Sequence, residues 1–167
     1  MAEVITIVDE NDKVIGSKER GTELPDDIYR IVCLWVENSE GKVLLAKRAS
    51  TKVHHPDKWC SAVAGTVAYD DSYDETMKRE AMEELGVTGV DFQKITKKFI
   101  QTDYKYFAQY YKVTLDYDLD KFVVQDDEVA EIRWLSESEL RQMFHENPEK
   151  FVGSMPEVFK VYFSEQK

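Results

Sequence analysis

The sequence predicts an α/β chain of the α+β type, with one mixed β-sheet sandwiched between α-helices. Three observations lead there. Short β-branched and aromatic runs recur along the chain, interleaved with only three stretches of helical periodicity. Between Ile31 and Val36, the residues Ile31, Cys33 and Trp35 alternate with Val32, Leu34 and Val36, and both sets are apolar, which marks a central strand covered on both faces. A length of 167 residues with a hydrophobic fraction of 43% suits a single domain over 1–167.

Each element has its own signal. Residues 1–20 hold "VITIVDENDKVIGSKER", an N-terminal hairpin of two β-branched runs about a polar Asp-Glu-Asn-Asp turn. Gly21 and Pro25 make residues 21–27 a connector. "IYRIVCLWVENSEGKVLLAKR" reads as a second, stronger hairpin around Asn38–Gly41. "ASTKVHHPDKW" is a polar loop and "CSAVAGTV" one short strand of small residues. Ser72–Leu85 is the first convincing helix, and "DFQKITKKFIQTDYKYFAQYYKVTL" gives two strands about Thr102–Asp103. After an acidic connector come a strand, "AEIRWLS", a helix, "ESELRQMFHEN", stopped by Pro148, and a last amphipathic helix, "MPEVFKVYFSEQ".

Charge and composition exclude several functions. A formal net charge of −11 repels a polyanionic backbone, so no nucleic-acid polymer is expected as partner. No apolar run approaches the roughly 20 residues of a membrane span, and no signal peptide is visible. Cys33 and Cys60 are too few for a disulfide framework, and both fit a reducing, cytoplasmic setting. Oligomeric state is left open.

The stretch Gly65–Val87 carries seven acidic side chains against Lys78 and Arg79. Ser72 and Glu75 form a capping box, and Gly86 stands at the C-terminal cap. At ~100° per residue, Tyr73, Met77, Ala81 and Leu85 make one apolar stripe, while Glu80, Glu83 and Glu84 gather on a patch whose centre is only about 90° away. Glu75 and Arg79 take the opposite pole. A solvated face would place its carboxylates there instead. The trio is therefore expected at the edge of the buried face, where two charges ~6 Å apart repel by about 3 kcal/mol at an effective dielectric of 20. A hard dication, Mg2+ or Mn2+, would relieve that repulsion.

These residues resemble a known family. Gly65, Arg79, Glu80, Glu83, Glu84 and Gly86 match the Nudix box, G-x5-E-x7-R-E-U-x-E-E-x-G-U (U, bulky aliphatic), in register over residues 65–87, with Asp71 at the first glutamate and Ala81 at the first U. The resemblance implies a Nudix fold. It also implies Gly65 (through its carbonyl), Glu80, Glu83 and Glu84 as metal ligands, with Arg79 orienting a glutamate and Asp71 bracing the loop. Turn-glycine roles stand beside this for Gly65 and Gly86. "NSEGKVLLAKRASTKVHHPDKW" and "QDDEVAEIRWL" are similar to the branch that holds isopentenyl diphosphate isomerases and their hydrolase-like relatives.

Within that branch the isomerases carry C-G-H, where this chain has Ala64-Gly65-Thr66. Alanine moves no proton. Cys60 would lie some 16 Å from Gly65 along an extended strand, and reads as a small core residue. The expected activity is therefore hydrolysis of a diphosphate linkage in a small substrate; an isomerase and a non-catalytic ligand-binding protein are the alternatives. Glu83 and Glu128 are the candidate general bases, with a solvated-loop reading beside the latter. The isomerase branch grips diphosphate at places that here hold Arg48 and Lys52. His54 and His55 read as loop residues and His145 as a helix-end residue. The tyrosines of "TDYKYFAQYYKV" fit strand packing better than stacking on a nucleobase.

Overall fold

A computed structural model describes residues 2–163. Its organising element is strand β3 (Ile28–Glu37), which runs parallel to β8 (Lys105–Thr114) over its full length. Strand β7 (Gln93–Gln101) pairs antiparallel with the outer edge of β8. Three strands share the other edge of β3. Strand β1 (Val4–Val8) takes Ile28 and Tyr29, β6 (Val63–Thr66) takes Ile31–Leu34, and β4 (Val43–Arg48) takes Val36 and Glu37. Strand β2 (Val14–Glu19) closes the N-terminal hairpin on β1, while β5 (Trp59–Ser61) and β9 (Val129–Leu135) flank β4. The result is the expected mixed sheet.

The two apolar sets of β3 serve two cores. Val32, Leu34 and Val36 pack with Met77, Ala81 and Leu85 of helix α1 (Tyr73–Leu85). Cys33 and Trp35 face the other way, toward Leu140 of α2 (Glu137–Glu146) and toward Val158, Val161 and Tyr162 of α3 (Met155–Phe163). Each fully buried aliphatic side chain contributes about 1.5–3 kcal/mol, so both helical layers are held by burial rather than by intrinsic propensity. The expected last helix is present as α3; its predicted extension through Ser164–Gln166 lies outside the described residues. No described helix is long and apolar enough to cross a membrane.

Two expectations need correction. The hairpin about Asn38–Gly41 is the weaker one: β3 and β4 share two residue pairs, whereas β1 and β2 share five. Asn38 and Gly41 close the turn, but β4 then diverges, because β6 occupies the same edge of β3. "CSAVAGTV" is also not one strand. It breaks at the fully buried Ala62 into β5, paired to β4, and β6, paired to β3. The break lets one short segment bridge the two diverging strands.

Candidate active site

Helix α1 begins as its sequence demands. Ser72 caps it with extended backbone and accepts from the Glu75 N–H at 3.2 Å, while the Glu75 carboxylate accepts from the Ser72 N–H at 2.8 Å. Gly86 ends it in the left-handed region (φ 67°). Met77, Ala81 and Leu85 are fully buried, and Tyr73 packs at their margin. Glu80, Glu83 and Glu84 come out half-buried at the edge of this face, as the helical projection requires.

Gly65 has a different role from a turn glycine. It sits inside β6, opposite Val32, and its φ is not positive. A Cβ built there would lie 2.4 Å from the Glu80 Cδ, so the absent side chain is what lets Glu80 lie on the strand. Arg79 starts from the opposite pole of the helix. Its Cα stands away from the carboxylates, but its long side chain curls back: Nη1 donates to Glu80 Oε1 at 2.7 Å and lies 3.6 Å from Glu83 Oε2. Its Nη2 meets Asp71 Oδ2 at 3.4 Å, and the fully buried Thr76 donates to the same oxygen at 3.4 Å. The brace survives in Asp71, stretched as a side chain one methylene short would make it.

The loops add the rest. Arg48 ends β4, and its Nε donates to the His54 carbonyl at 3.0 Å. Lys52 forms an ion pair with Glu128, and the Ala49 N–H donates to the Glu128 carbonyl at 3.0 Å, so the loops before β5 and β9 are tied together. Arg48, Lys52, Gly65, Arg79, Glu80, Glu83, Glu84 and Glu128 all line one cavity of about 230 Å3. Sequence reading missed three other lining residues, Glu3, Arg20 and Gln125. Arg20 donates to Glu3 at 2.6 Å, and Glu80 is among the charges that hold its guanidinium protonated. The hairpin looked like scaffold because nothing in its pattern says which end meets the helix. A larger cleft, about 390 Å3 between Val90, Asp91 and Gln93 on one side and Lys112–Leu115 on the other, brings only Asp91 and Lys112 together as charged groups, and so offers no comparable chemistry.

Electrostatics separate the three glutamates. Burial, with lesser help from the Glu83 charge, pushes Glu80 up to about 7 despite Arg79. Burial and then the charges of Glu80 and Glu128 push Glu84 up to about 8. Among the described residues, no three acidic, histidine or cysteine side chains converge as a finished metal cage. The donor set nevertheless fits a hard dication: it is all oxygen, and two of its carboxylates are short of positive charge where they stand. Cys60 lies outside the cavity lining; its thiol contacts the Ala46 carbonyl at 3.5 Å, and burial pushes it up to about 12. It is half-buried behind the site, with Glu84 and Arg48 acting on its thiol, rather than the core residue expected. His145 occupies the last turn of α2, and His54 and His55 lie exposed in the loop. Tyr106, Tyr110 and Tyr111 are buried, in line with the packing role, whereas Tyr104 is exposed.

Comparisons with known proteins bear on family and fold. A NUDIX domain model matches residues 28–155. An uncharacterised Nudix hydrolase from Streptomyces coelicolor is 37% identical over 102 residues, covering 60% of this chain and only 56% of the relative, so the match spans little more than half of that protein. An isopentenyl-diphosphate Delta-isomerase from Aliivibrio fischeri is 26% identical over 96% of this chain and 94% of its own. A crystal structure of a Deinococcus radiodurans protein superposes with a TM-score of 0.85, covering 96% of this chain and 99% of that one at 23% identity, a likeness of fold. The chain belongs to the Nudix hydrolase family.

Proposed function

We propose that the chain is a Mg2+- or Mn2+-dependent pyrophosphohydrolase that cleaves a diphosphate linkage in a small substrate. The supporting observation is convergence: four cations and five carboxylates from the hairpin, β4, α1 and two loops share one small polar cavity. Glu80, Glu83 and Glu84, with the Gly65 carbonyl, would hold the metal. When bound, such an ion screens phosphate charge and lowers the pKa of water.

The protein's own groups carry the remaining tasks. With its Nε committed to His54, Arg48 keeps its terminal nitrogens for phosphate oxygens. Lys52 neutralises Glu128 in the free protein, and a phosphate that draws Lys52 away leaves Glu128 able to accept a proton. Water oxygen then bonds to phosphorus as its proton passes to Glu128 or Glu83, the P–O bond to the bridging oxygen breaks, and phosphate leaves. Glu3 and Arg20 make residues 1–20 a working part of a single domain over 1–167.

The isomerase relative supplies a second reading. Against it stand Ala64, which carries no proton donor beside Gly65, and Cys60, which does not line the cavity. The test is phosphate release from a panel of diphosphates with Mg2+ or Mn2+, repeated with Glu83→Gln. Metal-dependent release lost in the variant supports hydrolysis. Conversion of isopentenyl to dimethylallyl diphosphate would replace it with isomerisation, and tight binding of every compound without turnover would replace it with a binding role.

A further inference from the structure

We propose that the site recognises the diphosphate chain alone and does not select the group esterified to it, so that nucleoside and isoprenoid substituents are accepted with little discrimination. This rests on the hydrolase reading above. Three observations carry it.

The first is size. Pockets that enclose a whole ligand run to roughly 300–1,000 Å3, and at about 230 Å3 this one encloses phosphate groups and leaves the substituent outside. The second is its wall. Ligand pockets are ordinarily lined by apolar and aromatic groups. Here nine of twelve lining residues are ionisable, and among the described residues Ala64 is the only apolar side chain on the lining. A nucleobase finds no ring to stack on, and an isoprenoid tail finds no wall to dry against.

The third is that the aromatic strand is already spent. Tyr106 lies against Tyr29 with ring centroids 5.7 Å apart, and Tyr110 meets Tyr162 at 6.1 Å. Tyr111 is 1% exposed, and its hydroxyl donates to Asp74 at 2.6 Å. Of the four tyrosines that the sequence offered as stacking candidates these three are packed, Tyr104 is exposed before the strand, and none lines the cavity.

Stacking of a base on an aromatic ring is worth roughly 5- to 150-fold in affinity. Without it, the kcat/KM values for ADP, GDP, CDP, UDP and geranyl diphosphate with Mg2+ should agree within about fivefold. Kd values with Mn2+, measured by calorimetry on the bridge-methylene analogues of the same compounds and of methyl diphosphate, should agree as closely. A preference of more than about fivefold for one base or for the isoprenoid, in either measurement, overturns this inference while leaving hydrolysis intact. Uniform binding without turnover would overturn hydrolysis and leave the recognition reading standing. Failure of methyl diphosphate to bind where the nucleotides do would show the substituent to be necessary, and would also overturn it.

Discussion

At the scale of single residues, the site depends on one missing methyl group. Gly65→Ala would set a Cβ 2.4 Å from the Glu80 Cδ, so the Glu80 side chain would have to move off the strand. The expected result is a stability loss of about 1–3 kcal/mol, the ordinary cost of overpacking. Metal-dependent turnover should fall far more, on the order of a hundredfold, because Glu80 is displaced. Equal losses for a surface control such as Ser138→Ala would sink the explanation. The same glutamates set a pH dependence. Glu80 and Glu84 have folded values of about 7 and about 8, above the ordinary carboxylate value of 4.5. The folded state therefore binds more protons than the unfolded one between those limits, so stability is fullest below pH 4.5 on this account and declines as pH rises through 7 and 8. Without metal, Tm should drop between pH 6 and pH 8.5, and Mn2+ should restore more of it at the higher pH. A metal-free Tm that rises over this window contradicts the assignment.

At the scale of elements, the N-terminal hairpin is fixed by a carboxylate in its turn. Asp12, in the left-handed region at φ 60°, is 8% exposed and accepts from Arg30 Nε at 2.6 Å and from the Tyr73 hydroxyl at 3.1 Å, with Lys97 as a further partner. It pins the hairpin to β3, to β7 and to the first residue of α1. Asp12→Ala should cost about 3 kcal/mol in urea denaturation, the low end for a broken buried pair, because Lys97 is 40% exposed and rehydrates. Asp12→Asn keeps a residue suited to positive φ and should lose less. A cost below about 0.5 kcal/mol for the alanine variant would remove the pin. Asp12 was legible only as a turn residue, since its partners arrive from 18, 61 and 85 positions along the chain. The contrast is instructive. Capping at Ser72, the two-sided burial of β3 and the carboxylate patch of α1 are local patterns, and they could be read directly. The divergence of β4 from β3, and the split at Ala62, follow from competition for one strand edge, which no local pattern encodes. Arg20 went unread for the same reason, and for Arg79 only the family resemblance pointed to a glutamate, because a helical projection places Cα atoms and not guanidinium groups.

At the scale of the molecule, charge decides what may enter the cavity. The net charge of −11 opposes any phosphorylated ligand, and the acidic groups lining the cavity outnumber its cations five to four. Three of those cations already have carboxylate partners, Arg20 with Glu3, Lys52 with Glu128 and Arg79 with Glu80. A diphosphate arriving alone would have to break those pairs while adding charge of the wrong sign. A dication reverses the balance, so metal and diphosphate should bind with positive coupling, and by linkage each should tighten the other by the same factor. Methylene diphosphonate, which cannot be hydrolysed at its bridge, isolates binding from turnover. Its affinity by calorimetry should rise at least about tenfold with Mn2+ over EDTA at equal ionic strength, a coupling of about 1.4 kcal/mol. Mn2+ titrations with and without the diphosphonate should return that same factor. Equal diphosphonate affinity in EDTA and in Mn2+ would mean that the guanidinium and ammonium groups suffice by themselves, and the carboxylates of α1 would then need another purpose.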